Sequence, residues 1–244
     1  MIFKPLNDEL KEYALKKFPE EMCGIVVDFK FIPCTNMSPD PENHFEISES
    51  QISEYFRAGK IQGIVHSHKI GRMDNTSCPS KQDMIGQISS NVPWGIVDTD
   101  GTNAANPYWW GDFLFDEALV GKKFKSGVND CYSLCRKYYF QKKGILLPEY
   151  PRDDFWWSEG ENLYVDNFRK AGFKTISKEE LRDGDAMLGK IRSDTINHAG
   201  IIIDNDEEGR GLILHHLPNR LSRKEPASGW VNKGEICVRY VGVA

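Results

Sequence analysis

The hydrophobic and polar positions of the first half predict alternating helices and strands. Apolar residues recur at helical spacing after Asn7, a residue that can cap a helix, and Pro19 ends this first helix. Short apolar runs predict strands, and two further stretches have helical spacing. The predicted strands are 22–28, 61–68 and 94–97, the further helices are 49–58 and 80–89, and residues 31–46 are expected to form a loop.

The second half follows a segment, 99–112, that is rich in turn-forming and aromatic residues. We interpret it as a junction and place the domain boundary near residue 112. A helix is predicted over 131–143, ending at Gly144, and another over 162–171, ending at Gly172. Strands are predicted at 186–189, 198–204, 212–216 and 236–243.

Composition narrows the class of protein. The 244 residues suit one large or two small domains, and 40% hydrophobic with 27% charged residues is typical of a soluble globular chain. A net charge of −5 without a Lys- or Arg-rich run argues against nucleic-acid binding. No apolar run is long enough to span a membrane, and the charged N-terminus does not resemble a signal peptide, so we expect folding in a cytoplasm. The six cysteines contain no CxxC pair and are expected to be free thiols.

His66 and His68 form the first candidate site. Two residues apart on a strand, they point to the same face, so both imidazoles can reach one metal ion. A catalytic Zn²⁺ keeps three protein ligands and one open position for water. Asp83, near the start of a predicted helix, is the best third ligand, and Asp74 in the preceding loop is the alternative. Glu21 is the candidate base for the metal-bound water.

This ordered set resembles the JAMM (Mov34/MPN) metalloproteases, through Glu21-x-Cys-Gly, His66-Ser-His68 and Ser80-x-x-Asp83. The resemblance implies a zinc site whose ligands are His66, His68 and Asp83. It also implies that Glu21 activates the water and that Ser80 donates a hydrogen bond near the oxyanion.

Two features depart from the JAMM pattern. Lys69 stands where a proline often follows the second histidine, and the spacing from His68 to Ser80 is about four residues longer than usual, an extension that loops tolerate cheaply. The longer loop keeps Asp74 open as the third ligand. A JAMM-like fold that has lost its metal and acts as a binding module is the alternative interpretation.

Cys131 is the centre of the second candidate site. It opens a predicted helix, and a helix N-terminus favours the thiolate, so a lowered pKa is expected. His198, at the start of a strand, is the candidate general base, and His215 on the next strand is suited to orient it. His216 points to the opposite face of its strand, so only one of the two neighbours is expected to line the site. Cys135 is expected to be a buried structural thiol.

Asp130-Cys131, Gly184-Asp185, His198 and His215 together resemble the NlpC/P60 cysteine peptidases. The resemblance implies that Cys131 is the nucleophile, His198 the base and His215 its orienting partner. A tyrosine that the family places near the oxyanion is Phe124 here, so backbone N–H groups are expected to carry more of the oxyanion stabilisation.

The two domains in one chain resemble the tail tip assembly proteins of lambda-like siphophages, a likeness supported by Arg152-Asp-Asp-Phe-Trp-Trp and Leu214-His-His-Leu-Pro. This implies a mixed α+β chain. Residues 1–112 would form a JAMM-type, cytidine-deaminase-like α/β domain, and residues 113–244 an NlpC/P60, papain-like α+β domain.

The expected function is tail tip assembly combined with cleavage of peptidoglycan stem peptides, chiefly the γ-D-glutamyl–diaminopimelate bond. The zinc site would cut a peptide or isopeptide bond. The expected partners are other tail tip proteins and peptidoglycan, in the host cytoplasm during assembly and then in the virion tail tip, acting in the periplasm. The alternative is a structural assembly factor in which one or both sites are inactive.

Overall fold

The computed structural model describes residues 3–73, 76–112, 115–204 and 211–242. Contacts between residues divide the chain into two units. The first contains residues 1–79 and 85–114, and the second contains 80–84 and 115–244. The boundary inferred from the sequence, near 112, lies beside this division. None of the described helices is long and apolar enough to cross a membrane.

The first unit is built on a five-stranded sheet with the order β2-β1-β3-β4-β5. Only β3 and β4 run parallel; the other neighbours are antiparallel. Strands β1 and β4 are buried along their whole lengths, as expected for central strands of a sheet covered on both faces. The strands are β1 (Cys23–Val27), β2 (Lys30–Cys34), β3 (Ile61–Lys69), β4 (Trp94–Thr99) and β5 (Tyr108–Trp110).

Three helices belong to this part of the chain: α1 (Asn7–Lys17), α2 (Glu49–Arg57) and α3 (Lys81–Ser90). Leu10 and Ala14 of α1 are fully buried against Val26, Val65 and Val97 of the sheet. Burying one such leucine stabilises a fold by about 1.5–3 kcal/mol. Helix α3 lies in the connection from β3 to β4, because parallel neighbours need a long crossover.

The second unit carries a six-stranded antiparallel sheet with the order β10-β9-β8-β7-β11-β6. The strands are β6 (Phe173–Ile176), β7 (Ala186–Gly189), β8 (His198–Ile203), β9 (Leu212–His215), β10 (Arg223–Pro226) and β11 (Ile236–Tyr240). The helices are α4 (Cys131–Lys143), α5 (Leu163–Asn167) and α6 (Ser228–Val231). Helix α4 packs Leu134 and Tyr139 against a core that includes Ile201 and Leu214.

The structure corrects several predicted elements. Strand β2 forms inside the predicted loop, with Pro33 tolerated because β2 is an edge strand. Strands β5, β6 and β10 were not predicted, since each is short and lies at or next to a sheet edge. The helix predicted over 162–171 ends at Asn167, and turns lead on to Gly172, whose φ is +89°. The last strand ends at Tyr240 rather than at Val243, which lies outside the described residues.

Candidate active site

Cys131 is the first residue of α4, and the residue before it fixes the start of that helix. Asp130 is the N-cap, and its carboxylate accepts hydrogen bonds from Ser133 N and Gly127 N, both at 2.8 Å. Gly127 has a φ of +73°, a backbone conformation that favours glycine, so the loop can turn sharply into the cap. The cap therefore sets both the position and the direction of the cysteine side chain.

A buried ion-pair network holds Asp130. Arg152 donates to Asp130 Oδ2 from Nε at 3.0 Å and from Nη2 at 2.8 Å, and from Nη1 to Glu149 at 2.8 Å. Glu149 also accepts from Arg136 at 2.6 Å, so two cations and two anions balance one another. Burial opposes the charge of Asp130, but Arg152 and the backbone N–H groups hold the pKa of this carboxyl below its ordinary value.

The thiol of Cys131 lies in an enclosed environment. Its Sγ is 3.1 Å from the Tyr164 hydroxyl and 3.8 Å from the Asn197 carbonyl oxygen. Burial, followed by the charge of Asp130, raises the pKa of Cys131 to about 11. The expected lowering by the helix N-terminus is therefore wrong for the free protein, since desolvation and a neighbouring carboxylate outweigh it.

His198 and His215 form the pair that the sequence predicts. His198 Nε2 lies 3.3 Å from His215 Nδ1, and both residues are buried. Burial, with His215 and His216 nearby, lowers the pKa of His198 to about 3. Because its Nε2 faces His215, Nδ1 is the ring nitrogen left for a proton from the thiol. The resting protein thus holds a neutral thiol at Cys131 and a neutral imidazole at His198.

The far side of His215 is closed by β10 and α6. His215 Nε2 lies 2.9 Å from Glu225 Oε1, and the same oxygen accepts a hydrogen bond from Trp230 Nε1 at 2.7 Å. The Trp230 ring packs 4.4 Å from the His215 ring and 5.4 Å from the His198 ring. Neither Glu225 nor Trp230 was singled out from the sequence.

One pocket contains both Cys131 and His198. Trp156 and Trp157, which end the stretch Arg152-Asp-Asp-Phe-Trp-Trp, belong to its wall together with Tyr164. As predicted, only one of the neighbours His215 and His216 lines the pocket, but it is His216 and not His215. His216 packs edge-on against Phe124 at 5.2 Å, while His215 contacts His198 behind it.

The first unit contains the predicted histidine cluster. Glu21, His66 and His68 have ligand atoms within 4.8 Å of one another. His66 Nε2 faces His68 Nε2 at 3.0 Å, and His68 Nε2 is 3.9 Å from Glu21 Oε1. His66 is fully buried and stacks on Phe45 at 4.3 Å. Imidazole nitrogens and a carboxylate are a donor set that zinc accepts.

A serine missed by sequence reasoning orients His68. Ser77 Oγ donates to Asp98 Oδ1, so it can accept from His68 Nδ1, which lies 3.0 Å away. With its proton on Nδ1, His68 presents the lone pair of Nε2 to the cluster. Such outer contacts commonly fix the tautomer of a metal-binding histidine, so the local geometry fits a metal ion.

The remaining predicted residues of this site lie at the start of α3. Ser80 donates to Asp83 Oδ2 from its backbone N and its Oγ, both at 2.8 Å, and Asp83 is buried. The alternative ligand, Asp74, lies outside the described residues. The assignment of Asp83 as a zinc ligand and of Ser80 as an oxyanion donor stays a prediction.

Comparison with known proteins agrees with the geometry of the second unit. The NlpC/P60 family model matches residues 105–239. The tail tip assembly protein K of Escherichia phage N15 is 30% identical over 97% of this chain and 94% of that protein. The protein of the same name from Escherichia phage lambda is 34% identical over 68% of this chain and 75% of that protein.

The chain belongs to the NlpC/P60 family and to the tail tip assembly protein K family. A solution structure of a Desulfitobacterium hafniense protein shares 17% identity with it, at a TM-score of 0.33 over 45% of this chain and 83% of that one. That likeness is too weak to carry an argument.

Two residues of the NlpC/P60 site had no sequence signal that linked them to Cys131. Tyr164 lies 33 positions along the chain from the cysteine, in what the pattern indicates only as a helix. Glu225 lies on β10, an edge strand that the hydrophobic pattern does not predict. Only the packing of α5 and β10 brings these side chains to the site.

The state of the thiol can be tested by alkylation. A thiol with a pKa of about 11 is less than one-thousandth ionised at pH 7, so iodoacetamide should modify Cys131 more slowly than an ordinary cysteine. The rate should climb as pH rises toward that pKa, because the thiolate is the reactive form. Peptide mass spectrometry after timed labelling measures this. Fast labelling at pH 6 would instead indicate a preformed thiolate–imidazolium pair.

The ion-pair network around Asp130 is expected to contribute to the free energy of unfolding. Asp130→Asn leaves part of the charge of buried Arg152 without its partner, which should lower the free energy of unfolding by about 3 kcal/mol. Urea titration followed by tryptophan fluorescence measures the change. Asp204→Asn, which breaks an exposed pair with Lys224, is the matched control and should change it by less than about 1 kcal/mol. Equal effects would contradict the role of the network.

Proposed function

We propose that the second unit is a cysteine peptidase that hydrolyses stem peptides of bacterial peptidoglycan, at the γ-D-glutamyl–diaminopimelate bond. The observation that carries the proposal is one pocket lined by both Cys131, at the head of α4, and His198, whose Nε2 lies 3.3 Å from His215 Nδ1. Membership of the NlpC/P60 family supports the reaction class.

The reaction begins with two neutral groups. As the Cys131 sulfur attacks the carbonyl carbon of the γ-D-glutamyl residue, its proton passes to His198 Nδ1, because the free thiolate is scarce. The tetrahedral oxyanion receives hydrogen bonds from backbone N–H groups at the start of α4. His198 then returns the proton to the departing amine of diaminopimelate, leaving a thioester on Cys131.

Water completes the cycle. His198 removes a proton from a water molecule, which adds to the thioester carbonyl, and the C–S bond breaks to release the glutamyl carboxylic acid, which loses its own proton to solvent. The proton on His198 returns to the sulfur. The site therefore ends in the neutral state in which it began.

Aromatic side chains suit the pocket to a peptide held in extended form. Trp156, Trp157 and Tyr164 supply rigid apolar walls with polar edges. The lining also contains Arg152, but its guanidinium is paired with Asp130 and Glu149, so we assign it to the helix cap and not to the substrate.

A role in the tail tip follows from the family to which the chain belongs. We propose that the protein assembles with other tail tip proteins and that its peptidase opens the cell wall from the virion tail. A structural assembly factor with an inactive site is the competing proposal.

A second candidate function belongs to the first unit, and the convergence of Glu21, His66 and His68 favours it. We propose that His66 and His68 hold one zinc ion and that Glu21 acts as the base; the third ligand predicted from the sequence, Asp83, stays a prediction. A zinc ion would supply Lewis-acid polarisation and an activated water for peptide or isopeptide hydrolysis. Ser77 and Asp98 keep the proton of His68 on Nδ1.

The peptidase can be tested on purified stem peptides and muropeptides. Wild-type protein should generate a new free amine on diaminopimelate, and Cys131→Ala should reduce the rate by about 10⁴-fold or more, since no other group can form the thioester. Mass spectrometry of the products measures both. The Cys237→Ala variant, which changes a buried cysteine elsewhere in the second unit, should cleave at the wild-type rate. Cleavage by Cys131→Ala, or none by folded wild type, would contradict the proposal.

The metal site can be tested by elemental analysis. The purified chain should carry one zinc ion, and the His66→Ala/His68→Ala variant should carry none, because two of the proposed ligands are lost. His44→Ala removes an exposed histidine of the same unit and should leave the zinc content unchanged. A wild-type chain that takes up no zinc would remove this second function.

A further inference from the structure

Glu225 lies on an edge strand, yet contacts to three elements hold its side chain in place. Its side chain is 24% exposed, and both carboxylate oxygens have partners. Oε1 accepts from Trp230 Nε1 at 2.7 Å and lies 2.9 Å from His215 Nε2, while Oε2 lies 2.7 Å from Arg223 Nη2. Partners on β9, β10 and α6 therefore fix one carboxylate directly behind the histidine pair.

We propose that Glu225 is the positioning residue at the end of a relay that runs from Cys131 through His198 and His215. Its carboxylate would stabilise the positive charge that forms on the histidine pair when the thiol gives up its proton. This role rests on the proposed cysteine peptidase activity, and it adds a fourth side chain to the three that the sequence predicted.

The placement of protons along the relay supports this role. His198 can act as a base only if Nδ1 is unprotonated, so its proton resides on Nε2 and points to His215 Nδ1. His215 must then accept at Nδ1 and carry its own proton on Nε2. That nitrogen faces Glu225 Oε1, an acceptor with a negative charge, which favours this tautomer over the other.

The contact acts mainly through charge. The Glu225 oxygen lies 2.9 Å from His215 Nε2, so its negative charge acts directly on the ring, and the same oxygen also accepts from Trp230 Nε1. In a buried site, an anion at this distance interacts strongly with a neighbouring cation. When the proton of Cys131 arrives on His198, His215 and Glu225 share the charge that the surrounding apolar pocket cannot solvate.

The other charged and titratable groups around His215 oppose the effect of Glu225 on the pKa of His215. Arg223 on β10 and His216, the residue after β9, both disfavour a cationic His215, and His198 on β8 is the partner that shares the proton. Burial lowers the pKa of His215, and Glu225 works against that shift. Glu225 is therefore the acidic side chain, among the described contacts of His215, that favours the protonated pair.

Trp230 makes the arrangement rigid. Its indole N–H fixes the Glu225 carboxylate, and its ring packs against both histidines. A catalytic pair held this way needs little rearrangement when the charge develops. The helix that carries Trp230, α6, follows β10 directly, so one short segment supplies both the anion and the ring.

Glu225→Gln tests the relay, because glutamine keeps the size and the acceptor for Trp230 but removes the charge. We expect kcat to fall about 10-fold with little change in KM, since the charge acts in the transition state. The acid limb of the pH profile of kcat/KM should also move to lower pH. Glu225 raises the pKa of the histidine pair, so its loss lets the pair stay neutral at lower pH. Glu225→Asp should restore part of kcat.

Glu235→Gln is the matched control, since it removes an exposed carboxylate of the same unit that pairs only loosely with Lys190 at 3.9 Å. It should change neither kcat nor the acid limb. A fall in the activity of Glu225→Gln with an unchanged acid limb would assign the residue a purely structural role. If Glu225→Gln has the wild-type kcat and the wild-type acid limb, the proposal is overturned.

Histidine NMR separates this inference from the peptidase proposal, because it needs no substrate. Nitrogen-15 shifts of His215 should show the proton on Nε2 in wild type, and its titration should move to lower pH in Glu225→Gln. If the protein cuts no stem peptide but these shifts appear, the substrate assignment fails and the relay stands. If His215 carries its proton on Nδ1 in wild type, the relay fails whatever the activity.

Discussion

The carboxylate of Asp130 is the contact on which the second unit depends. It caps α4, and so it determines where Cys131 begins the helix and which way the thiol points. A buried anion is costly unless it is paired, and Arg152 provides the pairing through two hydrogen bonds. Glu149 and Arg136 extend the pair into a balanced network. The Cys131 thiol is thus positioned by an electrostatic arrangement and not by apolar packing alone.

The position of the Asp130 carboxylate also affects the ionisation of the Cys131 thiol. The same carboxylate that caps the helix disfavours a thiolate next to it, and burial adds to the effect. His198 is held neutral by burial and by neighbouring imidazoles. A site of this kind gains little from a preformed ion pair, so its rate depends on how well charge is stabilised as the proton moves. In the proposed reaction, the charge would appear on the chain His198–His215–Glu225.

In the first unit, the pairing of strands in the sheet brings the residues of the histidine cluster together. Parallel pairing of β3 with β4 places His68 opposite Asp98, and Ser77 bridges the two side chains. Strand β1 runs beside β3 and follows directly after Glu21, which brings the carboxylate to the histidines. A donor set suited to zinc therefore arises from three neighbouring segments whose order in the sheet could not be read from their order in the chain.

The sequence alone determined the elements with strong periodicity and the residues whose chemistry is unusual for their position. Helices α1 and α4, the buried strands, and Cys131, His66, His68 and His198 all follow from local pattern, because spacing and capping act between near neighbours. The edge strands β2, β5, β6 and β10 escaped prediction, since short edges gain their stability from pairing with a partner strand.

Tertiary structure alone decided the surroundings of those residues. Tyr164 against the thiol, Glu225 behind His215 and Ser77 beneath His68 join segments far apart in the chain, and no spacing rule connects them. Tertiary structure also raised the pKa of Cys131, whereas the helix N-terminus alone predicted a lowered pKa. The helix N-terminus is a local property, but desolvation depends on everything packed around the sulfur. Residue identity determined which groups can react; packing decided their protonation and their partners.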